Sequence, residues 1–561
     1  MIHRNRILSI CFIFILLFGA LFGRLIYLQT YKYTEFKQAS KNQIRRTIVL
    51  PAKRGNITDR NGILLAATID SSMVYIDCGL IDKPDFAAEQ LSKILNISKD
   101  TIYERIKNRN ANSLLKRRIS DEELDALKKL KLRALDIRHD QKRIYLREYL
   151  AANLLGFTDQ ENEGKSGIEQ AQDRYLQGIS GELIVERDPI GRELYVSERT
   201  LKEPKDGNNI TLTIDEFLQY IARKYLSTAI QKEKADSGSV IIMDTRTGQI
   251  LAMVSLPDYN PNRYFSYAPE NLRNNAIQTV YEPGSVFKII TVATALDSGL
   301  VHSNTTIING NSFELAKRTI RESHSLKDPE RPRQIRDVII ESLNITSAKL
   351  ALQIGKEKMY EYINRFQLHK QTQIGLYGES NSILKAVDKI EPIDLAVIGF
   401  GQGAAFTPLQ IVSAINVIAN NGIYVKPSII LKISDNKNNI IKDFSKGIEK
   451  KQVIKPQTAW EIRMMLQECV QKGTGQAAAI PGYSIGGKTG TSQKSKPGGG
   501  YLPNSYVSSF VGIVPGNKPR LTILVVIDNP KKSYYGGDVA APVFREITRE
   551  AVRYLAIPED I

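Results

Sequence analysis

Cysteine is scarce in this chain of 561 residues: Cys11, Cys78 and Cys469 are the whole complement, and no CxxC pair occurs. That excludes a disulfide scaffold, a zinc ribbon and a dithiol redox centre. Histidine is nearly as scarce, with five residues (His3, His139, His302, His324 and His369) and no HxxxH or HExxH pair. Histidine metal sites and a histidine-driven triad are thereby removed, and no metal or cofactor is expected. Acidic residues are in deficit, 60 against 77 basic ones, which leaves a formal charge of +17. The excess suits a glycan, lipid or other polymeric anion. Nucleic acid is not expected, because the basic residues are dispersed and no RNP, zinc-finger or helix-turn-helix pattern accompanies them. What remains is globular: 42% hydrophobic and 24% charged residues, long enough for three or four structural units.

Long apolar runs are also missing, with one exception. Ile7–Gly23 is a run of 17 residues broken only by Ser9, preceded by His3, Arg4 and Arg6. Continuing through Leu28 it is long enough to span a bilayer, with Arg24 snorkelling and Tyr27 at the interface. Phe22, Arg24 and Leu25 crowd the place where signal-peptide cleavage wants small residues, so the run reads as an uncleaved anchor with the bulk of the chain outside the cytoplasm.

Beyond a polar, stalk-like stretch at 29–50, PAKRGNITDRNGILLA runs into a strand, and residues 85–140 read as charged helix. LKEPKDG at 201–207 is a candidate linker. SGSVIIMD and TGQILAMVS make a hairpin turning at Thr247–Gly248. A helical middle is expected from about 285 to 420, then the β runs YSIGGKTGT, YVSSFVGIVP and LTILVVID before a closing helix near 541–557. Strands at both ends with helices between imply an α+β fold, an antiparallel sheet flanked by helices.

Two patterns compete at Gly482–Thr489. The stretch satisfies the phosphate-loop expression GxxxxGK[ST], which requires a helix directly after Lys488-Thr489. GTSQKSKPGGG follows instead, with too much glycine and proline for a helix. The rival pattern is the ordered set SxxK, SxN, KTG of serine acyl-transfer enzymes. SxxK occurs at Ser113, Ser285, Ser382 and Ser434, and SxN at Ser40, Ser342 and Ser434, so neither is specific alone, and Ser434 reads as a polar turn between ILKIS and IIKDF. Ser285 stands out because it opens the helix-forming SVFKIITVATALDSG, with Lys288 three residues on along the same face and within reach. A desolvated, neutral Lys288 can take the proton of a hydroxyl that is otherwise a poor nucleophile. Ser342 and Asn344 follow 57 residues later, to relay a proton and to bind a substrate carbonyl or the lysine, and Lys488 stands 146 residues beyond Ser342. Lys488 supplies positive field, Thr489 and Thr491 hydroxyls suit a terminal carboxylate, and Gly490 lets the substrate backbone approach. The N–H groups of Ser285 and Thr491 are the candidate oxyanion hole.

These motifs, with GFTDQENEGKSGIEQAQDRYLQGISG, YEPGSVFK and GFGQGAAFTPLQ in order along the chain, resemble those of the class B penicillin-binding proteins. GFT at 156–158 and the ending VVIDNPKKSYYGGDVAAPVFREI are similar to the division-specific, FtsI-type branch. The resemblance implies a cytoplasmic tail at 1–6, a transmembrane anchor at 7–28, an elongated non-catalytic pedestal at 29–204 and a penicillin-binding transpeptidase domain at 205–561. It implies a serine D,D-transpeptidase of the inner membrane that acts on peptidoglycan stem peptides and nascent glycan strands, and is acylated by β-lactams. Ser285, Lys288, Ser342, Asn344 and Lys488 would be catalytic, with Thr489, Gly490 and Thr491 binding substrate. An FtsW-type glycosyltransferase and other divisome proteins are the implied partners. An elongation-specific enzyme, a D,D-carboxypeptidase and a catalytically silent β-lactam sensor share the pattern. Leu343 departs from it, since members often carry a second serine there.

Overall fold

The computed structural model describes residues 2–107, 112–186, 200–324, 326, 328–496 and 498–561. The chain divides into two compact units, Met1–Lys53 with Gly178–Asp206, and Arg54–Gln177 with Gly207–Ile561. In the first, the apolar run forms the helix Ile2–Ile26, whose 25 residues rise about 37 Å at 1.5 Å each. It belongs to the one helix, among the described residues, long and apolar enough to cross a membrane. The stretch expected as a stalk contains a helix, Tyr33–Ile44, and a strand, Arg45–Leu50. That strand pairs antiparallel with Gly181–Glu186, which pairs in turn with Thr200–Lys202.

In the second unit a five-stranded antiparallel sheet places the site. Its order is Ile250–Leu256, Ser237–Asp244, Leu521–Asp528, Tyr501–Val514 and Gly486–Ser495, the last forming an edge. The central strands are apolar on both faces because both faces are covered. Val240 and Ile242 join one cluster with Phe544 of the helix Gly536–Tyr554 and Leu218 of Glu216–Glu233. Ile241 and Met243 point the other way, to Ile290 of Lys288–Asp297 and Ile415 of Pro408–Ala419. The period of two in SGSVIIMD thus feeds two cores, and each buried Ile or Phe is worth about 1.5–3 kcal/mol.

Two helical expectations are corrected. Within 85–140 the helices Pro84–Leu95, Lys99–Lys107 and Asp121–Lys129 alternate with strands Asn112–Ile119 and Leu135–Tyr145. Those strands are rich in Lys and Arg, yet Leu115, Ile119 and Tyr145 are buried, and so are Asp140 and Arg143, ion-paired with Arg117 and Glu169. The middle region likewise holds four short strands between Thr306 and Gln334. A seven-stranded sheet further joins Ile57–Thr58 and Leu64–Asp77 to Asn209–Leu212 and Ile430–Ser434. Ser434 therefore ends a strand, and its SxxK and SxN matches fall in a turn, as expected.

Candidate active site

Three chain segments meet in a cleft of about 720 Å³ lined by Ser285, Ser342, Asn344, Thr489 and Thr491. Ser285 lies in a short 3-10 turn, Gly284–Val286, directly before the helix Lys288–Asp297. Ser342 lies between the short helix Asp337–Ile340 and the helix Asn344–Ile354, and Lys488 to Thr491 lie on the sheet's edge strand.

The Ser285 turn is held from both sides by glycines. Gly401 is in the left-handed region (φ +87°) and accepts from the Gly284 N–H at 3.0 Å, while a Cβ on it would sit 1.9 Å from Gly284 O. On the sheet side, a Cβ at Gly490 would lie 2.7 Å from Pro283 O and 2.3 Å from Ser509 Oγ. The close approach that Gly490 permits is therefore to the Ser285 turn. Gly490→Ala should push strand and turn apart, costing about 1–3 kcal/mol of stability. A displacement near 1 Å should slow acylation of Ser285 by about 10²-fold, as melting and labelling of the same sample would read.

Lys288 and Lys488 are fully buried side chains. Burial, reinforced by the Lys488 charge, pushes the Lys288 amine well below the ordinary lysine value, against a smaller opposing pull from Glu322. Burial lowers Lys488 as well. Lys288 Nζ lies 2.6 Å from Ser342 O, 2.7 Å from Asn344 Oδ1 and 3.3 Å from Ser342 Oγ. A neutral amine has two hydrogens and one lone pair, which fits donation to the two carbonyl oxygens and acceptance from the Ser342 hydroxyl. The direct Ser285–Lys288 hydrogen bond suggested by their spacing is not formed. The Ser285 hydroxyl has no hydrogen-bond partner among the described residues. Lys488 Nζ donates to Thr474 Oγ1 and Thr489 Oγ1, each at 3.2 Å. Thr491 Oγ1 accepts the Gly536 N–H at 3.0 Å.

The phosphate-loop pattern, disfavoured by the glycines and proline that follow it, is not a phosphate site here. Gly486–Ser495 is a strand paired along its length with Tyr501–Val514, so no helix N-terminus follows Lys488-Thr489 to receive a phosphate.

A profile described as the penicillin binding protein transpeptidase domain matches residues 238–549, and one for the penicillin-binding protein dimerisation domain matches 49–212. The chain is 32% identical to peptidoglycan D,D-transpeptidase FtsI of Escherichia coli K12, over 99% of this chain and 92% of that protein. This protein belongs to the class B penicillin-binding proteins. It is also 32% identical to stage V sporulation protein D of Bacillus subtilis, covering 99% of this chain and 86% of that one. The crystal structure of apo penicillin-binding protein 3 from Mycobacterium tuberculosis superposes with a TM-score of 0.71 at 26% identity, covering 92% and 98% of the two chains.

For a class B penicillin-binding protein the motif residues were legible, but their supports were not. Gly401 stood only within the GFGQGAAFTPLQ motif, with no role assigned to it. Thr474, hydrogen-bonded to Lys488, and Glu322, beside Asn344, carried no signal at all, being single polar residues in unpatterned loops. Leu343 is fully buried, so its side chain belongs to the core and not to the cleft.

Proposed function

We propose that this class B penicillin-binding protein is a septal peptidoglycan D,D-transpeptidase, FtsI-like, with Ser285 as its nucleophile. The observation that carries the proposal is the Ser285 hydroxyl standing free in a cleft beside a buried, depressed Lys288 amine wired to Ser342 and Asn344. Ser285 Oγ bonds to the penultimate D-Ala carbonyl carbon, and its proton passes to Lys288. The amide C–N bond breaks, and the departing D-Ala nitrogen takes a proton through Ser342, which lies 3.3 Å from Lys288 Nζ. An acceptor stem amine then bonds to the ester carbonyl carbon, the Ser285 Oγ–C bond breaks, and the proton the amine loses passes through Lys288 to Ser285 Oγ. The Ser285 and Thr491 N–H groups serve as oxyanion hole, and Thr489 with Thr491 grips the donor carboxylate under the Lys488 charge. β-Lactams acylate the same serine.

The domain division follows the same reading: tail 1–6, anchor 7–28, pedestal 29–204 and transpeptidase domain 205–561. The apolar helix supports an inner-membrane location with the bulk of the chain in the periplasm or otherwise outside the membrane, and an FtsW-type glycosyltransferase and other divisome proteins are the partners this reading implies. The test is the full chain in detergent with a pentapeptide donor ending in D-Ala-D-Ala and an amine acceptor, read by mass spectrometry. One D-Ala released per cross-link is expected. D-Ala release without cross-link would make it a carboxypeptidase, and acylation by penicillin without any release would leave a β-lactam sensor.

A further inference from the structure

We infer that Glu322 is a positioning residue for the acyl-transfer site: its carboxylate fixes the Asn344 turn, and through the Asn344 amide it orients the Lys288 amine. The inference rests on the function proposed above and adds a residue that none of the three motifs contains.

Glu322 directly follows the hairpin of Ser312–Leu315 and Arg318–Arg321. Its Oε2 accepts the Asn344 N–H at 2.7 Å and its Oε1 the Ile345 N–H at 2.8 Å, both in the first turn of Asn344–Ile354. The helix dipole favours a carboxylate at that end. Oε1 also accepts from Asn309 Nδ2 at 3.1 Å, and Asn309 is buried and pinned by its Oδ1, which accepts from Thr346 N and Oγ1. The preceding residue completes the clamp. Arg321 O accepts from Asn344 Nδ2 at 3.1 Å, so the Asn344 amide has one orientation left, with Oδ1 on Lys288 Nζ at 2.7 Å. Backbone and side chain of Asn344 are thus both held by two consecutive residues of one hairpin end.

The adjoining charges give that carboxylate a second effect. Lys488 approaches Lys288 from the edge strand and Glu322 from the hairpin, and Arg321 and His324 line the same cleft. Glu322 is the anion that opposes Lys488 there.

A helix cap alone would also explain two of these bonds, but a cap acts on folding and leaves the acylation rate of folded protein unchanged. A double-mutant cycle in the full chain separates the two. Glu322→Gln keeps the shape and removes the charge and one acceptor. It should slow penicillin acylation of Ser285 by about tenfold while melting stays cooperative. In an Asn344→Ala background the same change should cost less than about threefold, because the group it acts through is gone. Should Glu322→Gln fail to fold, Glu322→Asp, which keeps the charge and retreats by one methylene, runs the same cycle. A loss under about threefold in the Asn344 parent, or an equal loss in both backgrounds, overturns the inference. A parent protein that is not labelled at Ser285 overturns the site itself. Labelling at Ser285 with a parent-like Glu322 variant removes only the role of Glu322.

Discussion

Ser285→Ala is expected to abolish covalent labelling of the full chain by a fluorescent penicillin while leaving its melting temperature within a degree or two. The other motif hydroxyls in the cleft, those of Ser342, Thr489 and Thr491, are already engaged. Ser342 Oγ lies against Lys288 Nζ and its residue is 6% exposed. Thr489 Oγ1 donates to Thr474 Oγ1 at 3.1 Å, and Thr491 Oγ1 accepts from Gly536. The Ser285 hydroxyl alone among them is unpartnered, and it lies at the start of the helix Lys288–Asp297, whose dipole stabilises developing negative charge. Because no hydrogen bond is lost on truncation, the stability change should stay within about 0.5 kcal/mol. Mapping the labelled peptide by mass spectrometry decides the matter, and an adduct on Ser342 or Thr491 would unseat Ser285.

The difference between what was legible and what was not follows the range of the interactions. The unbroken apolar runs in SGSVIIMD and LTILVVID are local and signal a sheet buried on both faces, as Val240 and Ile241 show by entering opposite cores. The helix after Ser285 and the turn at Ser434 were likewise local. Leu135–Tyr145 was missed because its charged residues read as solvent-facing, whereas Asp140 and Arg143 are buried against partners distant in sequence. The pairing of Ile57 with Ile210, and of Ile210 with Ile433, joins residues far apart in sequence, and no local pattern encodes it. In the site, three motifs announced Ser285, Ser342 and Lys488 through fixed spacing. The residues that aim them are single contacts across loops. Glu322 lies 22 residues before Asn344, and Gly401 reaches Gly284 across more than a hundred. Gly490 was read as admitting the substrate backbone, whereas the coordinates bring Pro283 O of the Ser285 turn against it.

Lys288→Ala is expected to slow penicillin acylation of Ser285 by at least about 10²-fold, the usual cost of losing a positioned base. Loss alone would not say whether the lysine serves as base or as fixed charge, so Lys288→Arg is the informative partner. Arginine keeps donors for Ser342 O and Asn344 Oδ1 but stays protonated at any working pH and offers no lone pair. If the neutral amine is the working form, the arginine variant should be as slow as the alanine one. Recovery of most of the rate by arginine would make Lys288 a source of positive field instead. The pH profile adds a third measurement with a definite sign. Burial and Lys488 depress the folded amine well below the ordinary lysine value, so Lys288 holds no proton over a range where a free lysine still would. Acylation should therefore be flat at high pH and fall only as pH drops through that depressed value, where the base becomes protonated. Both Lys288 variants should lack this acid limb. A parent limb near the ordinary lysine value, about 10.4, would mean the amine is charged at neutral pH and cannot accept the Ser285 proton.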